Sequence, residues 1–225
     1  MGVITLLKII ANSSSSYAPR TYANASKGDI TAAIAIDYET AGERLTKKAA
    51  GQKYIRLPMS IEGIEQSYEE HGRTLATMAR PMTEPCINIA GNGIYTFARH
   101  KWDQARVNQY IYQVLAIAHQ QHPIGSIVCG GQTGVDIAGA VAAVALNIPV
   151  TIHMPSGLLQ RYEDGQDITR TEDQIRDEVM SMARQIKGIV ILGESTPQND
   201  EGQHQVSANQ EEEAPRRRSV FARRP

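Results

Sequence analysis

The hydrophobic residues of this chain fall into short continuous runs separated by longer amphipathic stretches. Runs rich in Val, Ile and Ala that are bounded by Gly, Pro, Asn or Ser are typical of buried strands. Six such runs lie before residue 155, at 3–11, 31–37, 53–58, 86–90, 127–129 and 149–154. A seventh run, 188–193, predicts a closing strand.

Helices are predicted between most of these runs, in segments 39–50, 61–79, 103–121 and 133–146. The third has apolar residues at Val107, Tyr110, Ile111 and Val114, which is helical spacing. A last helix begins at the capping box Thr171-Glu-Asp-Gln. Strands that alternate with helices of this length predict βαβ units and a mainly parallel sheet, so the expected fold class is α/β.

Segment 12–29 shows neither pattern and predicts a polar loop of unusual length. Loops this long inside compact domains tend to be functional or disordered. Tyr17 and Tyr22 alternate with Arg20 and Lys27, which would suit stacking on a base and holding a phosphate. Two interpretations therefore stand, a flexible loop and a lid over a pocket.

Composition divides the chain into three parts. The two prolines of 81–85 break regular structure, so we expect an N-terminal α/β extension over 1–84, packed on or continuing the sheet of a core over 85–195. Residues 196–225 are rich in Gln, Glu, Asn and Arg and are expected to be disordered. The chain contains no internal repeat.

The overall composition is that of an ordinary globular protein, with 41% hydrophobic residues and a formal net charge of -1 over 225 residues. Nothing in it demands a polyanionic partner across the whole surface. Cys86 and Cys129 lie in apolar runs and are expected to be buried free thiols of a reducing compartment. The N-terminal run lacks a basic region and a cleavage site, and no apolar run is long enough to span a bilayer. We therefore expect a cytoplasmic protein with no membrane partner.

The most informative stretch begins at Ser126, where a strand-like run ends at Gly130-Gly131 and a helix follows at once. Unpaired N–H groups and the positive end of the helix dipole would make an anion site over this pair of glycines. Glycine also lets a ligand approach the backbone closely. The expected ligand-binding residues of this loop are Gly130, Gly131, Gln132, Thr133, Gly134 and Asp136. A tight turn with close helix packing is the plainer explanation of the same glycines.

Two further loops follow predicted strands and are expected at the same edge of the sheet, where open parallel sheets bind ligands. The first is Gly91-Asn92-Gly93. The second contributes Ser156, Gly157 and Arg161, with Arg161 as a bidentate phosphate partner. Each also has a plainer explanation, as an ordinary turn or a surface arginine.

The catalytic residues, if any, are unknown from the sequence. Asp136 is a weak candidate, because a carboxylate in the first turn of a helix already has a structural role. Glu194 is a weaker one. His153 lies in a strand-like run and is expected to be packed, and no His, Cys or Asp cluster has metal-ligand spacing, so we expect no metal.

Two of these loops, in their order and spacing, resemble the signatures of the SLOG superfamily of Rossmann-like domains. The matching residues are Ile89-Ala-Gly-Asn-Gly and the Gly-Gly-x-x-Gly-x-Asp motif at 130–136. With Leu146-Asn-Ile-Pro and Met154-Pro-Ser-Gly, they are most similar to the molybdenum-cofactor-carrier and DNA-processing-protein-A-like branch. The resemblance covers about 85–195 and implies a Rossmann-like core and a homo-oligomer.

The sequence also departs from that superfamily. It lacks the Pro-Gly-Gly-x-Gly-Thr-x-x-Glu loop of the Lonely-guy phosphoribohydrolases, so their activity is not carried over. The first 80 residues resemble uncharacterised phage-associated proteins, which would place the chain in the host cytoplasm.

The expected function is binding of a nucleotide or nucleotide-derived phosphate ligand, as a sensor or sequestering protein, with no certain cofactor. The alternatives are a hydrolase that cleaves an N-glycosidic or phosphate bond of a nucleotide, and a cofactor carrier or nucleic-acid-binding module. Nucleic acid would bind through the basic residues 216–224, whose charge the adjacent acidic run offsets, so this alternative is not favoured.

Overall fold

Six parallel strands form the central sheet of this protein, for which a computed structural model describes residues 6–60 and 64–193. The strands are β1 (Leu7–Ala11), β2 (Ile30–Ala35), β3 (Tyr54–Pro58), β4 (Cys86–Gly91), β5 (Ser126–Gly130) and β6 (Val150–Met154). They lie in the order β1-β6-β5-β4-β2-β3. Two short antiparallel strands, β7 (Leu159–Arg161) and β8 (Asp167–Thr169), form a separate hairpin.

Seven helices are described, namely α1 (Tyr17–Lys27), α2 (Ala41–Ala50), α3 (Ile64–Ala79), α4 (Ile94–Ala98), α5 (Gln104–Gln121), α6 (Val135–Ala145) and α7 (Glu172–Gly193). The capping box of α7 is confirmed, because Thr171 Oγ1 accepts from Gln174 N at 3.2 Å and Gln174 Oε1 accepts from Thr171 N at 2.9 Å. The alternation of strands and helices gives an α/β, Rossmann-like fold with helices on both faces of the sheet, as the periodicity predicted.

Alternate residues of β4 show which helices cover each face. A β-carbon built on Gly139 of α6 would lie 2.8 Å from Ile89 Cγ2, so α6 packs on the face of Ile89. Asn88 points to the opposite face, beside Gly28 at the end of α1. Helices α3, α5 and α6 pack side by side and enclose the apolar core, whereas α1 and α2 pack together on the other face.

Segment 1–84 continues the sheet at both edges. Strand β1 pairs with β6, while β2 pairs with β4 and carries β3 at the far edge. The chain leaves β2 in one direction, towards β3, and leaves β4 in the other, towards β5. The carboxyl ends of β2 and β4 therefore form a topological switch point, where open α/β sheets have a crevice.

The predicted polar loop over 12–29 is wrong, because α1 occupies most of it. Ser16 caps the helix, and its side chain accepts from Ala18 N. The residues that α1 buries include Arg20 and Asn24, which are polar. A search for apolar residues at helical spacing misses such a helix, since its buried face carries polar groups one turn apart.

The predicted closing strand at 188–193 is also wrong, because α7 continues through Gly193. The open edge beside β6, where a further strand would pair, is already taken by β1. The β-branched run therefore extends a helix that the capping box has started, and tertiary context overrides β propensity. The predicted disordered tail, 196–225, lies outside the described residues, as does Glu194.

In residues 6–60 and 64–193, no helix has both the length and the apolar character needed to cross a membrane.

The two glycines at the end of β4 provide a matched test of the packing. A β-carbon on Gly91 would overlap the carbonyl oxygen of Ile34, whereas one on Gly93 would lie 3.5 Å from its nearest neighbour, Thr133 O. We expect Gly91→Ala to cost about 1–3 kcal/mol in urea denaturation because the sheet must shift, and Gly93→Ala to cost less than about 0.5 kcal/mol. Equal losses in the two variants would contradict this packing.

Candidate functional site

A cavity of about 530 Å³ opens at the switch point, at the carboxyl ends of the strands. Its walls include the first two turns of α1 and of α2 and the start of α4, and its floor includes Asn88 and Gly130 from the strands and Asp136 from α6. Arg161 stands at the rim. The volume lies within the range of about 300–1,000 Å³ that is usual for small-molecule sites.

The two glycine loops lie side by side, since β4 pairs with β5. Ile94 N donates to Thr133 O at 3.0 Å, Val135 N donates to Asn92 O at 3.1 Å, and Gly134 N donates to Gln104 Oε1 at 2.6 Å. Gly93 and Gly134 form an antiparallel bridge. The loops therefore converge as the sequence predicted, but these N–H groups bind the protein rather than point at a ligand.

Asn92 joins the ends of two strands. Its Oδ1 accepts from Ile36 N and Asp37 N, both at 2.9 Å, and its Nδ2 donates to Asp37 O at 2.8 Å. These bonds hold the chain after β2 against the chain after β4. Asn92 lines the cavity, and its amide group holds the rim of the switch point in shape.

Gln132 and Thr133 hold the β7–β8 hairpin. Gln132 Nε2 donates to Leu159 O at 2.9 Å, Gln132 Oε1 accepts from Arg161 N at 2.8 Å, and Thr133 Oγ1 donates to Arg161 O. Gln160 Nε2 donates back to Gly131 O at 2.7 Å. The hairpin is thereby fixed beside the glycine loop, and this places Arg161 at the rim.

Five of the predicted site residues are not among the cavity-lining residues, namely Gly131, Thr133, Gly134, Ser156 and Gly157. A β-carbon on Gly131 would overlap the sulfur of Met154, so glycine serves close packing there. Ser156 N donates to Ser14 O at 2.8 Å, and Gly157 has φ 78° within a 3₁₀ turn. Arg161 makes two bonds to Asp167, at 3.0 and 2.9 Å, and remains about half exposed.

A buried ion pair stands where the sequence placed the ligand anion. Arg20 Nη1 lies 3.0 Å from Asp136 Oδ2, and both side chains are largely buried. A β-carbon on Gly130 would overlap both groups, so this glycine makes room for the pair. Because arginine keeps its charge, a buried guanidinium needs a carboxylate beside it. Burial raises the pKa of Asp136, and Arg20 opposes that rise.

Three polar atoms of the cavity residues are buried with no hydrogen-bond partner among the described residues. They are Arg20 Nε, Asn24 Oδ1 and Asn88 Oδ1, which we call the floor atoms. The residues that carry them are 7%, 4% and 2% exposed. Leaving such a group unsatisfied costs about 1–3 kcal/mol. Three further atoms of the described residues, Trp102 Nε1, Gln109 Oε1 and His153 Nδ1, are in the same state outside the cavity lining.

Glu43 is a buried carboxyl group in the cavity wall, 2% exposed, in the first turn of α2. No ion pair in the described part of the chain neutralises it, and its hydrogen-bond partner is Tyr54 Oη at 3.5 Å. Burial, with the negative charge of Asp136 as a second cause, raises the pKa of Glu43 to about 7. Near neutral pH this group can therefore donate or accept a proton.

The sequence interpretation did not assign Glu43 or Asn88 to the site, and it considered Arg20 and Asn24 only within a segment left open as a flexible loop or a lid over a pocket. One signal was available, because Asn88 is a single polar residue inside an apolar strand. Glu43 sits three residues after the cap Thr40, where a glutamate is common for local reasons. Its burial depends on the packing of α2 and is not visible in the sequence.

Metal-binding geometry is absent from the described residues, in which no group of three or more His, Cys, Asp or Glu could hold an ion. His153 Nε2 lies 2.9 Å from Lys27 Nζ, and burial together with that lysine lowers the pKa of His153 to about 4. Cys86 and Cys129 are both free cysteines.

Comparisons of the chain with protein-family models, with curated proteins and with solved structures find no match. The resemblance to the SLOG superfamily stays a prediction from the loop sequences.

The ion pair can be tested with a double-mutant cycle. Asp136→Asn leaves a buried guanidinium without its counter-charge, and we expect a loss of about 3–5 kcal/mol in urea denaturation. The double variant Arg20→Met/Asp136→Asn should lose clearly less than the sum of the single losses, since it removes both charges. The exposed pair is the control, and Asp167→Asn should cost about 1 kcal/mol or less. Additive losses at Arg20 and Asp136 would contradict the buried pair.

The raised pKa of Glu43 predicts a pH-dependent stability difference. The folded-state pKa of Glu43, about 7, lies above the ordinary value of 4.5. The folded protein therefore loses this proton at a higher pH than the unfolded chain does. Ionisation of the buried Glu43 carboxyl destabilises the folded protein. This loss of free energy of unfolding is absent below about pH 4.5, grows as the pH rises and reaches its full size above about pH 7. Glu43→Gln should therefore gain up to about 3 kcal/mol over wild type at pH 8 and little at pH 4.5.

Urea denaturation of both proteins at the two pH values measures this difference. Glu39→Gln is the matched control, because it removes a neighbouring carboxylate that is exposed and lies outside the cavity lining. A gain at Glu43→Gln that is the same at both pH values would show that Glu43 has no raised pKa.

Proposed function

We propose that the protein binds a nucleotide or nucleotide-derived phosphate ligand in this cavity, as a sensor or sequestering protein. The observation that carries the proposal is a cavity of nucleotide size at the switch point, lined by buried polar residues that include Arg20, Asn24 and Asn88. A concave site with a few polar groups among apolar ones is the usual form of a small-molecule site.

The charges of the cavity favour a phosphate at the rim rather than on the floor. Arg20 and Asp136 neutralise each other, and Glu43 adds negative charge whenever it ionises. A phosphate on the floor would face both carboxyl groups. At the rim, the positive end of α1 and the guanidinium of Arg161 lie on the same side, since Arg161 is 5.8 Å from the ring centroid of Tyr17.

Arg161 is available to such a phosphate. Its bonds to Asp167 form an exposed pair, and exposed pairs contribute about 0–1 kcal/mol, so an incoming phosphate would displace the carboxylate at little cost. The sequence hypothesis of Arg161 as a phosphate partner is thus retained, whereas the phosphate position over Gly130 and Gly131 is not.

The aromatic base would stack on Tyr95, which lines the cavity and is 42% exposed. Its ring lies beside the β7–β8 hairpin, 3.5 Å from a β-carbon built on Gly165, and the guanidinium of Arg99 lies 4.4 Å from the ring centroid. Exposed rings of this kind offer stacking surfaces to any base. Gly42, in the first turn of α2, also lines the cavity, and a β-carbon built there meets no atom within 4 Å.

Isothermal titration calorimetry with AMP, GMP, CMP and UMP tests the proposal, with inorganic phosphate as a further probe. We expect at least one of the nucleotides to bind, and Gly42→Trp to weaken its binding tenfold or more by filling part of the cavity. The helix should tolerate the change, since Gly42 is exposed.

Gly188→Trp is the matched control. It places the same side chain on an exposed helical glycine with open space around it, away from the cavity-lining residues, and should leave affinity unchanged. The proposal fails if none of the four nucleotides binds, or if Gly42→Trp binds as tightly as wild type.

A nucleotide hydrolase is the second candidate, and Glu43 is the observation that favours it. One carboxyl group with a pKa of about 7 beside another that is held by Arg20 is the arrangement of a general acid and a charge-stabilising carboxylate. In cleavage of an N-glycosidic bond, Glu43 would protonate the departing base while water adds to the sugar carbon. Chromatography of the titrated nucleotide separates the candidates, because a binding protein returns it intact and a hydrolase releases free base.

A cofactor carrier or nucleic-acid-binding module stays the third interpretation. Its basic residues, 216–224, lie outside the described residues. Nucleic-acid binding would weaken steeply with salt, which the same calorimetry would reveal.

A further inference from the structure

We infer that Tyr17 and Arg161 form a receptor for the ligand phosphate, and that Asp167 occupies this receptor until the phosphate displaces it. Asp167 therefore lowers the affinity of the cavity for phosphate ligands. This inference rests on the proposed function and names the residues that bind the phosphate and the residue that competes with it. It follows from the way in which donors of the cavity rim hold one carboxylate.

Three donors converge on the carboxylate of Asp167. Arg161 Nε donates to Oδ1 at 3.0 Å and Arg161 Nη2 donates to Oδ2 at 2.9 Å, which is the bidentate contact that a guanidinium also makes with phosphate. Tyr17 Oη donates to Oδ1 at 3.0 Å. Phosphate oxygens accept hydrogen bonds as carboxylate oxygens do, so the two carboxylate oxygens mark positions that two phosphate oxygens can take.

The elements around the cavity hold the receptor in place. Tyr17 is the first residue of α1, directly after the cap Ser16, so it lies at the positive end of that helix. The backbone of Arg161 is fixed, because its N donates to Gln132 Oε1 at 2.8 Å and its O accepts from Thr133 Oγ1. The guanidinium can therefore change its partner while the backbone that carries it stays beside the cavity.

Tyr17 and Arg161 line the cavity, whereas Asp167 does not. Asp167 lies in β8, directly opposite Arg161 in β7, and a cross-strand pair that stabilises the hairpin is the plainer explanation of their contact. That explanation does not account for Tyr17, which belongs to α1 and precedes Asp167 by 150 residues. A residue of the cavity wall thus adds a donor to the same carboxylate.

Exposure of the ion pair makes the exchange of anions easy. The side chains of Arg161 and Asp167 are 49% and 31% exposed, so water can solvate the carboxylate when it leaves the guanidinium. Exposed ion pairs of this kind are weak. Arg20 is the other cation close to Tyr17, but the buried carboxylate of Asp136 already neutralises it. Arg161 is therefore the guanidinium that can accept a phosphate.

Calorimetry with AMP, GMP, CMP and UMP, and with the four corresponding nucleosides, tests the exchange. A nucleotide that binds wild-type protein should bind Asp167→Asn about threefold or more tightly, because it no longer displaces a carboxylate or faces its negative charge. The corresponding nucleoside should bind both proteins equally, since it has no phosphate.

Glu163→Gln is the matched control. It removes one negative charge from the loop of the same hairpin, and Glu163 is exposed and lies outside the cavity lining. In the described part of the chain, Glu163 belongs to no ion pair. This variant should leave the affinity for the nucleotide unchanged.

Two further variants test the receptor itself. Arg161→Gln should weaken nucleotide binding, and in combination with Asp167→Asn it should abolish the gain that Asp167→Asn gives alone. Tyr17→Phe, made in the Asp167→Asn protein, should weaken binding of the nucleotide but not of the nucleoside, because the phosphate accepts from the lost hydroxyl. Unchanged nucleotide affinity of that double variant would overturn the role of Tyr17.

The outcomes are distinct from those of the proposed function. A nucleotide that binds wild type and Asp167→Asn equally well would overturn this inference and leave nucleotide binding intact. A gain that also appears with the nucleoside, with Glu163→Gln or in the Arg161→Gln protein would overturn it too, since displacement by phosphate would not be its cause. Absence of binding to wild-type protein by all four nucleotides would overturn the proposed function and this inference together.

Discussion

The ion pair between Arg20 and Asp136 is the interaction around which the site is arranged. It spans the carboxyl edge of the sheet, from α1 on one face to the first turn of α6, whose body packs on the other. Burying two charges is costly unless they form a well-aligned ion pair. Removing either residue leaves the other as a buried charge without a partner. Gly130 must lack a side chain because the pair occupies its β-carbon position. Segment 1–84 is therefore tied to the glycine loop by charge as well as by strand pairing.

That pair also determines what the cavity can hold. The helix N-terminus that the glycine loop creates is already satisfied by the protein's own groups, and the centre of the cavity is close to neutral. Anion binding is consequently favoured only at the rim, near α1 and Arg161.

Glu43 and the floor atoms share a physical property, which is that each has a free-energy cost of burial that no partner in the described residues offsets. Burial opposes the charge on Glu43 at neutral pH, and each floor atom has lost its water. Groups that cost stability on residues lining one cavity are typical of sites shaped for a ligand or a reaction. Asn92, which lines the same cavity, differs from them, because its side chain makes three hydrogen bonds that join the ends of two strands.

The sequence by itself determined the α/β fold. Strand-like runs and amphipathic helices are local patterns of apolar and polar residues, and burial of their apolar residues favours the same secondary structure whatever the rest of the chain does. It also determined that the loops at 91–93 and 130–134 lie at one edge, since strands joined by a helix of this length are parallel. It did not predict α1, whose buried face carries Arg20 and Asn24, or the helical end of α7, because β1 rather than the β-branched run of 188–193 pairs with β6. Only the tertiary structure decided that Arg20 reaches Asp136 and that Glu43 is buried, because burial and ion pairing depend on distances between segments that are far apart in the chain.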